Sequence, residues 1–174
     1  MARIVGYIAA SLDGFIADEN EGLDWLYEAE AELGEHHYDK FIERIKTVVM
    51  GRTTYEWMIR AGMEWPYREQ RNIVVTSRPI ENAPVAIAVR SDIDALIAEL
   101  RALDDGDVWM LGGGKLQMAF IERGALDEIE VYFASAIVGG GYPLFPPTGH
   151  KATLKLLSAK SLGSGMARLH YSFN

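Results

Sequence analysis

The chain has 174 residues, 49% hydrophobic and 24% charged, which describes one ordinary globular domain, 1–174, long enough to bury a core. A net charge of −8 excludes a partner held by an extensive basic face, so no nucleic-acid partner is expected. The absence of cysteine excludes disulfides and thiol chemistry, and His36, His37, His150 and His170 have no metal-ligand spacing, so no metal is expected.

In chain order, Ile4 to Ala10 reads as a first strand, closed by the turn signal Leu12–Asp13–Gly14. Asp18 to Gly34 is polar and acidic with Trp25, Leu26 and Tyr27 embedded in it; it reads either as a lid loop or as a short surface helix. His36 to Lys46 places Tyr38, Phe41, Ile42 and Ile45 on one helical stripe. Thr47 to Met50 is a second strand and Arg52 to Arg60 a short helix. Asn72 to Thr76 and Val85 to Val89 are short strands. Ser91 or Asp92 caps a helix that runs to about Leu103 with Ile93, Leu96, Ile97 and Leu100 inward. Val108 to Leu111 is a strand and Lys115 to Arg123 a helix. Leu126 to Ile137 reads as a long strand, and Ala152 to Ala159 with Met166 to Phe173 as a hairpin across Gly163–Ser164–Gly165. Strands alternating with helices, then a β-rich end, predict an α/β fold whose twisted sheet is mostly parallel and finishes antiparallel. No apolar run approaches the ~20 residues that span a bilayer. The first residues carry no signal-peptide pattern, so no membrane partner and a cytoplasmic location are expected.

Two strand–glycine–helix transitions carry the chemistry. In Leu111–Gly112–Gly113–Gly114–Lys115–Leu116, a side-chain-free turn opens a helix, where a phosphate can approach backbone N–H groups at the positive end of the dipole. The spacing is neither a Walker loop nor the dinucleotide fingerprint. The alternative is a plain tight connection. Met50–Gly51–Arg52–Thr53 is the second such transition, with a cation attached. Arg52, Arg78 and Lys115 each stand beside a predicted strand end, where ligands bind in such sheets. A phosphomonoester needs such partners, although each residue can equally be a solvated surface charge.

Ser11–Leu12–Asp13–Gly14–Phe15–Ile16–Ala17, Met50 to Glu56 and Leu111 to Gly114 resemble the dihydrofolate reductase superfold, in order along the chain. Ala119 to Ile129 and Gly139–Gly140–Gly141–Tyr142–Pro143–Leu144–Phe145 are similar to the reductase domain of the bifunctional riboflavin-biosynthesis deaminase/reductase and its stand-alone relatives. The resemblance implies a sheet with helices on both faces and NADPH as hydride donor. It implies that Gly51, Arg52 and Thr53 hold cofactor phosphates and that Ser77 and Arg78 lie along the 2′-phosphate. Leu111, Gly113, Gly114, Lys115 and Leu116 form the pyrophosphate turn, and Ala9 and Ile16 line the nicotinamide.

The implied activity is hydride transfer to a C=N or C=O bond of a pterin-like, pyrimidine-like or sugar-like small molecule. 5-Amino-6-(5-phosphoribosylamino)uracil and dihydrofolate are the two patterns. For the second, an ungapped overlay places Glu35 where the family has its pterin-binding carboxylate, with Asp39 one turn later. Glu35 or a water would deliver the proton, although acids in a first helical turn are favoured by the dipole alone. For the first, the opening 20 residues offer no basic set beyond Arg3 for a ribose phosphate. Phe15 and Trp25 are candidate pocket walls or ordinary core. A non-catalytic nucleotide-binding module on the same fold is the competing expectation. Val131–Tyr132–Phe133, Leu154 to Leu157 and Tyr142 to Phe145 add apolar surface at the β-rich end, which predicts a homodimer or completes the monomer core.

Overall fold

The structure, a computed structural model, describes residues 1–30 and 36–173. Its elements are β1 (Ile4–Ser11), β2 (Phe15–Ala17), α1 (Asp24–Glu30), α2 (His36–Arg44), β3 (Ile45–Gly51), α3 (Arg52–Arg60), β4 (Arg71–Val75) and β5 (Ile87–Arg90). They continue with α4 (Ile93–Arg101), β6 (Asp107–Gly112), α5 (Gly114–Glu122), β7 (Glu128–Ala134), β8 (Tyr142–Pro143), β9 (Lys155–Ser161), a 3₁₀ turn (Gly163–Gly165) and β10 (Ala167–Ser172).

Eight strands form one sheet in the order β5-β4-β3-β6-β1-β7-β10-β9. The first six run parallel, and β10 is antiparallel to both β7 and β9. Successive residues of the central strands supply opposite layers, as a sheet buried on both faces requires. Ile4, Val49, Ile73, Val108 and Met110 meet Leu96 and Leu100 of α4 and Phe120 of α5 on one face. Val5, Val48, Met50, Val74 and Trp109 meet Phe41 of α2 and Tyr55 and Met58 of α3 on the other.

The ends of several elements move from their predicted positions. The helix expected over His36 to Lys46 stops at Arg44, because the fully buried Ile45 already pairs with Asp107 of β6. The strand expected over Leu126 to Ile137 is confined to Glu128–Ala134, since Asp127 leaves the ladder to bind the start of β1. Of the segment 18–34, Asp24–Glu30 is helical, while 31–34 lie outside the described residues. Tyr142 and Pro143, read from the sequence only as an apolar corner, form β8 and pair with β2. Val131 and Tyr132 are not surface: they are 3% and 5% exposed, because β10 and β9 extend the sheet beyond β7.

Two polar clamps fix the frame. At the amino ends of the strands, Arg101 grips Asp127 with two bonds of 2.5 and 2.9 Å and donates to the carbonyls of Ala2 and Ala125. Asp127 also accepts from Ile4 N–H at 2.7 Å, so one carboxylate ties α4, β1 and β7 together. At the carboxyl end of β1, the Ser11 hydroxyl donates to Asp13 at 2.6 Å and accepts from Phe15 N–H. The amides of Val138 and Gly139 donate to the same Asp13 carboxylate.

Arg101→Ala strands the Asp127 carboxylate among partly buried groups, and chemical denaturation is expected to show a loss of about 2–4 kcal/mol. The Ser11 hydroxyl first, then the Gly139 and Val138 amides, hold the Asp13 carboxyl down to about 2. A carboxylate depressed by folding stabilises above its unfolded pKa, and that stabilisation disappears as pH falls through the folded value. The Tm deficit of Asp13→Asn is therefore expected to be full near neutrality and to shrink from about pH 4 to about pH 2. A deficit independent of pH would show that the carboxylate charge is not what holds the turn.

Candidate active site

β3 and β6 are parallel neighbours, yet the helices that follow them pack on opposite faces, α3 with the Met50–Trp109 layer and α5 with the Val108–Met110 layer. Chains that part in this way leave a crevice at the carboxyl ends of the strands, the usual ligand position in open parallel sheets. A cavity of about 850 Å³ lies there.

One end of this cavity is built from backbone amides. Gly51 caps α3 and Gly113 caps α5, neither with a side-chain hydrogen bond, and neither helix has an acid in its first turn. α4 differs: Asp92 accepts from Ala95 N–H at 3.0 Å and Asp94 follows. The uncapped amides of α3 and α5 leave the positive ends of two dipoles at one place. Gly51, Arg52, Thr53 and Thr54 line the cavity from α3, and Gly113, Gly114, Lys115 and Leu116 from α5. The two glycines of the turn serve different ends. A Cβ on Gly114 would lie 2.5 Å from the Pro143 carbonyl oxygen, so this position is set by the approach of β8. A Cβ on Gly113 would meet only Thr54 Oγ1 at 3.6 Å and Ile16 Cδ1 at 3.9 Å, both on the cavity wall.

Arg52 is not a free cation. Its Nε donates to Glu56 Oε1 at 2.5 Å, and its Nη1 donates to the carbonyls of Arg78 and Pro79 at 3.2 and 3.1 Å. The Arg52 bond and charge hold the Glu56 carboxyl below its ordinary range. Arg52 thereby fastens the loop after β4 to α3. Ser77 and Arg78 lie on that loop, exposed and outside the cavity lining. Lys115 is exposed at the cavity wall.

Toward β1 and β7 the wall becomes aromatic. Ala9 and Ile16, placed by the resemblance at the nicotinamide, line this stretch together with Leu111, placed by it in the pyrophosphate turn, and with Tyr7, Tyr38, Tyr67, Trp109 and Tyr132. Tyr7 stacks on Phe41 with centroids 4.3 Å apart, and Trp109 stands edge-on to Phe41 and Tyr67 at 5.1 and 5.4 Å. Burial is the main cause that raises the phenol pKa of Tyr7, Tyr38, Tyr67 and Tyr132, so all four hydroxyls are neutral at physiological pH. Tyr132 donates to Glu130, 3.2 Å away, which Arg168 holds at 2.7 Å. Burial opposes the charge on Glu130, but Arg168 and His170 outweigh it and lower its pKa. Glu21 closes the mouth: its carbonyl accepts from the Trp57 indole at 3.0 Å, and its carboxylate accepts from Arg60 and from the Tyr142 hydroxyl.

Three expected pocket residues lie off the cavity. Phe15 precedes Ile16 and Ala17 on β2, both of which line the cavity, but it is not itself part of the wall; the pairing with β8 is irregular between Phe15 and Ala17. Trp25 packs on the Tyr132–Ala134–Met166 cluster, leaving Leu26 and Tyr27 of α1 on the cavity. Asp39 is exposed on α2, where Tyr38 faces the cavity instead. Glu35 lies outside the described residues. Tyr7 was legible as a neighbour of Ala9 two residues along the same strand face. Tyr132 was not, because only the β1–β7 register places it opposite Ala9.

Comparison with known proteins agrees with this architecture. The family described as the RibD C-terminal domain matches residues 3–168. The protein YwjB of Bacillus subtilis (strain 168) is 32% identical over 170 residues, which are 97% of each chain. A Shewanella sp. PV-4 protein assigned by name to riboflavin biosynthesis superposes with a TM-score of 0.88 at 23% identity, over 100% of this chain and 99% of its own. The diaminohydroxyphosphoribosylaminopyrimidine deaminase/5-amino-6-(5-phosphoribosylamino)uracil reductase of Thermotoga maritima has a TM-score of 0.67 at 16% identity. That match takes in 99% of this chain but 57% of the longer enzyme. A crevice at the switch of the sheet, two glycine-opened helices and a family match along nearly the whole chain lead to one assignment: this chain belongs to the RibD C-terminal domain family and has the dihydrofolate reductase-like fold.

Proposed function

We propose that this protein is an NADPH-dependent reductase acting on a C=O or C=N bond of a small planar molecule. The observation that carries the reading is the pair of uncapped helix N-termini that meet at one cavity and stand next to an aromatic wall. The donor set fits the cofactor: first-turn amides, Thr53, Thr54 and Lys115 suit a diphosphate, and the Cβ-free side of Gly113 leaves it room. Arg78, held in place through its carbonyl by Arg52, suits the 2′-phosphate together with Ser77. Ala9, Ile16 and Leu111 would flank the nicotinamide. When bound, NADPH supplies a hydride from C4 of its nicotinamide. The protein holds the acceptor against it, and Glu21, tied to Trp57, Arg60 and Tyr142, keeps water out of the mouth. The Thermotoga maritima relative, by its name, reduces a phosphoribosylaminouracil, which supports the reaction class.

The reading includes a twofold dimer through the β-rich end. The cross-strand rows Ile129–Tyr171–Leu156 and Val131–Leu169–Ala159 lie on one face of the sheet. At its edge Leu156 is 52% exposed. Ile129 and Val131 at its inner end are buried, but Leu169 and Tyr171 are half-buried and the β9 edge is exposed, and an apolar edge of this kind suits isologous pairing.

Gly113→Val is the direct test of the cradle, since φ −79° and ψ −168° suit a β-branched residue. NADPH binding is expected to fall at least about tenfold with Tm unchanged; retained affinity would reduce the turn to a connection. Arg78→Ala is expected to weaken NADPH by about tenfold, with NADH unaffected and the gap closing at high salt. Equal losses for both cofactors would remove the 2′-phosphate assignment. NADPH binding without turnover on pterins, pyrimidines and carbonyls would identify a nucleotide-binding module instead. For the dimer, Leu156→Lys is expected to convert a two-chain species to a monomer in sedimentation, and a wild-type monomer at low micromolar concentration would dismiss it.

A further inference from the structure

The charges on the cavity wall are distributed in a way that selects a substrate. Among the described residues, Arg52 and Lys115 are the only cations that line it, and both stand at the amide end. The other arginines of the neighbourhood are engaged elsewhere. Arg3, the one basic residue near the start of the chain, binds Asp107 at 2.7 Å and Glu128 at 3.4 Å before β1 begins, at the opposite end of that strand from Ala9. Arg168 lies behind Tyr132 on Glu130, and Arg60 is on Glu21. A phosphate placed against Tyr7, Tyr38, Tyr67 and Tyr132 would meet neutral phenols and, at the mouth, the Glu21 carboxylate. Desolvating a dianion there with no cation is strongly unfavourable.

The hydrogen-bonding groups also discriminate among rings. An aminopyrimidine edge donates hydrogen bonds and seeks a carboxylate. The one carboxylate that lines the cavity among the described residues, Glu21, is taken by Arg60 and Tyr142. Tyr132 already donates to Glu130, Tyr7 to Tyr132 and Tyr67 to Tyr38, so the Tyr38 hydroxyl is the phenol donor that suits the opposite partner, a carbonyl oxygen. The remaining wall, with Trp109, Trp57, Met58 and Met63, is flat-sided and apolar and favours stacking.

We propose that the aromatic end of the cavity takes an uncharged, flat aromatic ketone or aldehyde and rejects phosphorylated ribosylaminopyrimidines; this rests on the reductase reading above. In the reaction the electron pair of the nicotinamide C4–H bond forms a new C–H bond at the carbonyl carbon. The C=O π pair moves to oxygen, which takes one proton from solvent. Ketone, NADPH and H⁺ thus give the secondary alcohol and NADP⁺.

The test is calorimetric titration of the protein saturated with NADP⁺, so that the amide cradle is filled, and of the cofactor-free protein, with 2-acetonaphthone, with ribose 5-phosphate and with 5-amino-6-(5-phosphoribosylamino)uracil, with NADPH titrated separately. The ketone is expected to bind at least about tenfold more tightly than either phosphorylated ligand. Met63 is 49% exposed on the cavity wall, so Met63→Arg adds a cation without disturbing the core. That variant is expected to weaken the ketone and to gain binding of the phosphorylated ligands. Tighter binding of a phosphorylated ligand to the wild type, or no measurable ketone binding, overturns the substrate class. Failure of NADPH to bind sinks the reductase reading instead, and the ligand order still decides what the aromatic end accepts.

Discussion

The first-turn amides of α3 and α5 open on the crevice between β3 and β6 with no side chain to satisfy them. Each α-helix begins with unpaired N–H donors and the positive end of its dipole, and most helices neutralise them with a capping oxygen, as α4 does with Asp92. Leaving two such ends bare beside each other forgoes the roughly 1 kcal/mol that a cap contributes to each. The arrangement depends on topology: the helices must leave adjacent parallel strands on opposite faces. It also depends on close packing, because Gly114 admits the Pro143 carbonyl where any side chain would collide. The short β2–β8 pairing and the Asp13 turn hold that carbonyl in place.

At the other end of the sheet, ion pairs do the opposite work. Arg3 with Asp107, Arg71 with Asp105 and Arg101 with Asp127 gather opposite charges where the parallel strands begin. The Arg101 pair matters most for the fold, because it is half-buried and reaches three elements; the exposed Arg71 pair contributes little. Basic side chains consumed in this way are withheld from the cavity. A chain of net charge −8 therefore still presents a locally positive cradle made chiefly of backbone, with no acid in the first turn of either helix.

The aromatic end follows from sheet geometry. Tyr7 and Ala9 share a face of β1, Trp109 and Leu111 share a face of β6, and β7 brings Tyr132 opposite Ala9. α2 covers this face through Phe41 and adds Tyr38. The result is a box of rings fixed by edge-to-face contacts, with little freedom to rearrange around a ligand. Family membership and the amide cradle support the proposed reductase reading, and among the described residues no cation lines the cavity at the ring box.

Local pattern determined much of this protein. Continuous apolar runs specified β1, β3, β4 and β6, the glycine transitions marked both helix starts at the crevice, and the Ser11–Leu12–Asp13–Gly14 turn was legible because its residue types admit few backbone paths. Ala9, Ile16, Gly51, Thr53, Gly113 and Lys115, named from the glycine transitions or from the family resemblance, all line the one cavity at the crevice. Tertiary structure decided the rest. The i,i+4 pair with Glu56 was legible, but the other partners of Arg52 lie 24–27 positions away, so no local signal shows that it fastens the loop after β4. Phe15 and Trp25 have the chemistry of pocket walls, but Phe15 stays off the wall that Ile16 and Ala17 line, and Trp25 packs on the Tyr132–Ala134–Met166 cluster. Val131 and Tyr132 read as surface only until β10 and β9 are seen to extend the sheet past them. The ring box unites five separate segments of chain, and its composition is set by register and layer packing, which pair residues more than a hundred positions apart.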